Sequence, residues 1–129
     1  MKKSGILNRH LAGALAALGH TDLVVVCDAG LPIPPGPVVV DLAFRAGTPS
    51  FSEVLRGLQD ELVIEGAVAA KEVRDHNPEV TAQLEEAFPN LELVSHEDFK
   101  TLTHQARLVV RTGEARPYAN VILRCGVPF

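Results

Sequence analysis

Asp22-Leu-Val-Val-Val-Cys27 runs without a polar interruption straight into Asp28–Pro37, a segment that holds four prolines and two glycines. A continuous β-branched run predicts a strand buried on both faces, the situation of a parallel sheet covered by helices. Proline fixes φ and offers no amide donor, so the residues that follow can be neither helix nor central strand. They predict a stiff loop at the carboxyl end of a buried strand.

Helical and extended segments alternate on both sides of that junction. Asn8–Gly19 reads as a short helix with Asn8 as N-cap, Leu11, Leu15 and Leu18 on one face, and Gly19 in the left-handed position that ends it. Val38-Val-Val-Asp-Leu42 reads as a second strand. Ser50-Phe-Ser-Glu53 forms a capping box that opens a helix to about Leu62, and Glu65–Ala70 returns as a strand. Asn77-Pro78 pairs an N-cap with a proline at the first helical position, and that helix ends near Phe88-Pro89. Leu91–Ser95 is extended, and Ser95-His-Glu-Asp98 caps a helix to about His104. Arg107–Thr112 and Ala119–Cys125 complete the strands. The turn between them, Gly113–Pro117, is too short for a helical crossover, which predicts that these two strands pair antiparallel. The alternation predicts a single three-layer α/β/α domain, residues 1–129, around a largely parallel mixed sheet.

Composition narrows the functions open to such a domain. Its 129 residues suit one core, and 47% hydrophobic against 22% charged residues exclude a disordered chain. A net charge of −4 provides no basic surface for nucleic acid, and five Phe, one Tyr and no Trp are too few to stack bases. Apolar runs fall far short of the ~20 residues that span a bilayer, and Ser4–His10 supplies no signal-peptide core, so no membrane and a cytoplasmic setting are expected. Cys27 and Cys125 lie far apart without CxxC spacing, which signals neither zinc nor a disulfide framework. The five histidines lack HxH or HExxH spacing, so no metal is expected. Glycine-rich phosphate loops and GxSxG elbows are absent, against nucleotide binding and acyl-enzyme chemistry.

Ligands of open α/β sheets bind beyond the carboxyl ends of the strands. Asp28 stands at such an end, where a carboxylate can accept hydrogen bonds from two neighbouring sugar hydroxyls; from position alone it reads equally as a turn-forming residue. His20, in Gly19-His-Thr-Asp22, offers an imidazole for proton transfer near neutral pH, or simply a solvated side chain at a helix end. His96 offers a second imidazole at the start of a helix. Pro117-Tyr-Ala-Asn120 offers a phenol and an amide beside the last strand, with core packing and a turn contact as the plainer roles. His10, His76 and His104 fall on helix surfaces or ends and read as solvated.

Taken in order, these segments resemble the D-ribose pyranase family, relatives of the L-fucose mutarotases. The likeness runs nearly end to end. It is carried by Lys2-Lys3 with Leu7-Asn8, Gly19-His-Thr-Asp22, Val25-Val-Cys-Asp-Ala-Gly-Leu-Pro-Ile-Pro34, Gly47-Thr-Pro-Ser-Phe51, His76-Asn-Pro78, Ser95-His-Glu-Asp-Phe99 and Gly113 through Pro117-Tyr-Ala-Asn120 to Gly126. The Asp28 loop and the Tyr-Ala-Asn tripeptide resemble the ribose branch more than the fucose branch. The resemblance implies an isomerase that interconverts pyranose and furanose forms of D-ribose without a cofactor. It implies His20 as proton donor, and Asp28, His96, Tyr118, Ala119 and Asn120 as substrate-binding residues. It also implies a ring-shaped homo-oligomer, a decamer, and the apolar C-terminus through Phe129 is expected at a subunit boundary. Arg116 departs from the family pattern and is expected to alter charge at the site mouth. Two other readings stay open: an L-fucose-type mutarotase, and a non-catalytic sugar-binding subunit.

Overall fold

A computed structural model describes residues 1–129. Its centre is a six-stranded mixed sheet of β1 (Leu23–Cys27), β2 (Val38–Asp41), β3 (Ile64–Ala70), β4 (Glu92–Val94), β5 (Leu108–Arg111) and β6 (Val121–Cys125), in the spatial order β2-β5-β1-β6-β3-β4. β1 and β2 both run parallel to β5, and β3 runs parallel to β4. β6 alone is reversed, antiparallel to both β1 and β3. The last two strands do point in opposite directions, but they do not pair as expected. β1 lies between them, so the link from β5 to β6 has to cross the carboxyl end of β1.

Alternate residues of the central strands enter two cores, as the period-two geometry of strands requires. Val24, Val26, Leu108, Val110, Val121 and Leu123 pack with α1 (Arg9–Ala16), α2 (Phe51–Glu61) and α4 (Pro78–Ala87) in the larger core. On the other face, Val25, Cys27, Val109 and Ile122 meet Phe99 of α5 (His96–Leu102), Ala106 beyond the 3-10 turn Thr103–Gln105, and Leu31 of the proline loop. The stiff loop thus forms part of the third layer. Val24 through Cys27 are fully buried, as the β-branched run predicts, whereas Val38 and Val39 of β2 are exposed because β2 is the sheet's edge.

Side-chain caps start the helices where the sequence places them. Asn8 accepts from Leu11 N, Ser50 from Glu53 N, Asn77 from Val80 N and Ser95 from Asp98 N. The end of α1 differs from expectation. It stops at Ala16, and Gly19 does not adopt the left-handed conformation; Thr21 does, with φ 71°. The cause is Asp22, whose carboxylate takes the Gly19 amide at 2.7 Å and the Arg107 guanidinium at 2.8 Å. Thr21 N then donates to Cys125 O, and Cys125 N to Asp22 O, pinning the turn against the end of β6. A short helix, α3 (Val73–His76), forms between β3 and α4, where the sequence carries no cap signal.

Candidate active site

The crossing link Thr112–Asn120 builds one wall of a cavity over β1. Thr112 anchors its start, donating from both N and Oγ1 to Cys27 O, while Ala29 N donates to Glu114 O. Gly113 passes so close to the 45–48 turn that a Cβ on it would lie 2.2 Å from Thr48 O, so only glycine fits. At the far end Asn120 is clamped to Asp28 twice. Its Oδ1 accepts from Asp28 N at 2.8 Å, and its Nδ2 donates to Asp28 Oδ2 at 3.1 Å. Asp28, the Ala29–Pro32 loop, His96, Glu114 through Tyr118 and Asn120 enclose about 390 Å³, open to solvent and ample for a monosaccharide.

The electrostatics separate a poised carboxylate from a structural one. Burial pushes the Asp28 carboxyl up, opposed by hydrogen bonds from the Gly30 and Leu31 amides and Asn120 and by the charge of His96. Gly30 N and Asn120 Nδ2 use part of its acceptor capacity and leave the rest to a ligand's hydroxyls. Glu114 is the structural one: it is buried, only 4% exposed. Its oxygens take Arg116 Nε at 3.0 Å and Nη2 at 2.8 Å, together with the amides of Phe51, Ala115 and Arg116. The Arg116 hydrogen bond leads these effects in holding the Glu114 carboxyl down at about 2, against the opposing effect of burial. Arg116 also pairs with Glu79, so its positive charge at the site mouth is matched by two carboxylates. Cys27, beneath Asp28, is pushed up to about 12 by burial and by the Asp28 charge, so it is a neutral thiol rather than a nucleophile.

Tyr118 occupies the left-handed region at φ 56°, a strained setting for an aromatic residue that the surroundings enforce. Asn77 Nδ2 holds Pro117 O at 3.0 Å, and Asn120 N donates to Tyr118 O at 2.9 Å. Its ring stacks on His76 and meets the edge of His96, both at 5.1 Å. His76 is exposed at the end of α3, as expected, and its ring also backs Tyr118.

Asp28, His96, Tyr118 and Asn120 thus line one cavity. Ala119 does not, because its side chain is fully buried in the larger core. His20 lies elsewhere in the chain. It precedes β1 whereas Asp28 follows it, and the strand alone spans about 17 Å at ~3.3 Å per residue. Its Nε2 meets Glu65 Oε2 at 3.0 Å, and both side chains are exposed. Glu114 and its partner network went unread in the sequence, since a Glu-Ala-Arg turn looks like any solvated turn. No three His, Cys, Asp or Glu side chains are grouped to hold a metal ion. Asn120→Ala is expected to cost about 1–3 kcal/mol of stability, because the Asp28 amide loses its acceptor at a part-buried position. Urea denaturation at fixed protein concentration measures that loss.

Comparison with known proteins gives the family of the chain. The model of the RbsD / FucU transport protein family matches residues 1–128. The chain belongs to that family. It is 73% identical over its full length, and over the full length of the relative, to D-ribose pyranase 2 of Streptomyces griseus, and equally to a D-ribose pyranase of Streptomyces avermitilis. Among solved structures, Bacillus subtilis RbsD complexed with D-ribose matches with a TM-score of 0.95 and 49% identity, each chain fully covered. A fucose mutarotase from Streptococcus pneumoniae in complex with L-fucose shares the fold, with a TM-score of 0.81 at 21% identity and 95% of each chain covered. No helix is long and apolar enough to cross a membrane.

Proposed function

We propose that the protein is a D-ribose pyranase, an isomerase that interconverts the β-pyranose and β-furanose forms of D-ribose. The observation that carries this reading is the meeting of Asp28, His96, Tyr118 and Asn120 around one monosaccharide-sized cavity. The full-length likeness to named pyranases and to a ribose-bound relative supports the choice of sugar. Interconversion breaks the bond between C1 and the ring oxygen and recloses the open-chain aldehyde through a different hydroxyl. Opening needs a proton delivered to the ring oxygen and one removed from the anomeric hydroxyl, and no electrons are exchanged with a cofactor.

Asp28 and Asn120 accept and donate hydrogen bonds to the sugar hydroxyls, and the Tyr118 phenol orients a further one. His96, or a water held by Asp28, takes the anomeric proton. His20 as imidazolium protonates the ring oxygen in the cavity of a neighbouring copy, a reading supported by its place before β1, at the end opposite Asp28. The His20 end is suited to such contact. Thr21 is tied to Cys125, from which the apolar tail departs, and Phe129 is 99% exposed in the single chain. We assign the protein to the cytoplasm as a ring-shaped homo-oligomer, a decamer.

The separation of His20 from the cavity within one chain also favours a second reading, a ribose binder without catalysis. Saturation-transfer NMR of ribose decides between them. Added protein is expected to speed exchange between pyranose and furanose signals well above the uncatalysed rate, with a much smaller effect on L-fucose. Binding without faster exchange would support the binder instead.

A further inference from the structure

Two buried side-chain atoms in the chain lack a hydrogen-bond partner: Nδ1 of His96 and Oε2 of Glu72. Isolated buried polar atoms call for an explanation, and here the topology brings the two together. β3 and β4 are parallel neighbours with Ala70 opposite Val94, and Lys71 N donates to Val94 O at 2.7 Å, one residue beyond that pair. Glu72 and His96, each two residues past the matched pair, leave the sheet side by side. One is an acceptor-only carboxylate when ionised, and the other is a ring nitrogen that donates when it carries the proton. Burial works to raise the Glu72 carboxyl, but its own amide, the His96 amide and the charges of Lys71 and His96 bring it below the ordinary carboxylate value. It is therefore an anion at neutral pH.

The other carboxylates near this ring are engaged. Asp28 holds Gly30 N and Asn120 Nδ2, and Glu97 pairs with Lys100 at 2.8 Å. Tyr118 meets the ring edge-on. Nδ1 is sealed within the protein while His96 lines the cavity, which leaves Nε2 as the nitrogen available to a ligand. Catalytic hydrogen bonds are often open in the free enzyme and tighten around substrate.

We propose that Glu72 is a positioning residue for the reaction: its carboxylate accepts the Nδ1 proton of His96 and so fixes the tautomer whose bare Nε2 takes the anomeric proton of ribose. The proposal rests on the pyranase reading and adds the residue that prepares the base. Without Glu72 the ring is free to carry its proton on Nε2, where it cannot act as a base.

The test uses full-length protein labelled with ¹⁵N-histidine. In the wild type, long-range ¹H–¹⁵N spectra are expected to place the proton of neutral His96 on Nδ1. Glu72→Leu moves it toward Nε2 and lowers ribose exchange by about 10- to 100-fold, with ribose affinity nearly unchanged. Glu72→Gln, whose carbonyl still accepts, restores the Nδ1 tautomer and part of the lost rate. Unaltered His96 nitrogen signals in Glu72→Leu, or a wild-type proton on Nε2, would overturn the proposal. If the wild type fails to speed ribose exchange, the pyranase reading falls, while the nitrogen signals still report on the Glu72–His96 pair.

Discussion

His20→Ala is expected to slow pyranose–furanose exchange by about 10²–10⁴-fold, the usual contribution of a positioned acid, while ribose still binds. Binding survives because Asp28, His96, Tyr118 and Asn120 form the cavity without it. Saturation-transfer NMR measures the rate and calorimetry the affinity. A sharper result is expected from mixing. His20→Ala and Asp28→Asn chains, each nearly inactive alone, should regain about a quarter of wild-type activity after joint unfolding and refolding, because random assembly leaves that share of sites with both residues intact. Rescue requires that His20 and Asp28 of one site come from different chains. Absence of rescue, with both variants assembled normally, would remove the shared-site mechanism. Wild-type exchange by His20→Ala alone would remove His20 from the chemistry.

Glu114→Gln is expected to destabilise the fold by about 3 kcal/mol at neutral pH, the largest stability effect among the site's polar residues. The buried carboxylate ties together Arg116 and three backbone amides that hold the arch over β1, and the neutral amide cannot replace the ion pair. The same group sets an acid limb. Its carboxyl titrates near 4.5 when free and at about 2 in the folded chain. A lowered folded value means that the contribution is complete above about pH 4.5 and disappears as pH falls toward 2. Urea denaturation of the wild type should show that loss, and Glu114→Gln should flatten it. An unchanged acid limb in the variant would show that Glu114 does not carry it. Since the arch supplies Glu114 through Tyr118 and Asn120 to the cavity, weaker ribose binding is expected to accompany the lost stability.

How legible each site residue was in the sequence depended on how local its cause is. Asp28 could be placed at the carboxyl end of a buried strand because a β-branched run and a proline-rich loop fix its position over a few residues. Ser95 and Asn77 announced their helices in the same way, through caps that act within one turn. His96 came with the first of these, as the residue that follows its cap. The departures arose where a distant partner decided the outcome. Gly19 had the composition of a helix end, yet the carboxylate of Asp22 drew its amide and passed the left-handed geometry to Thr21.

By itself, the sequence determined the class of fold, the places where strands end and helices begin, and an acidic residue waiting at a strand's carboxyl end. These follow from backbone preferences and hydrophobic period, which act over a few residues. Only the tertiary structure decided that β1 sits between β5 and β6. That strand order sends the last link across Asp28, lands Asn120 on it and buries the Glu114 carboxylate within the link. The physical reason is that strand order follows from how whole faces bury one another, and no short stretch of chain contains that information.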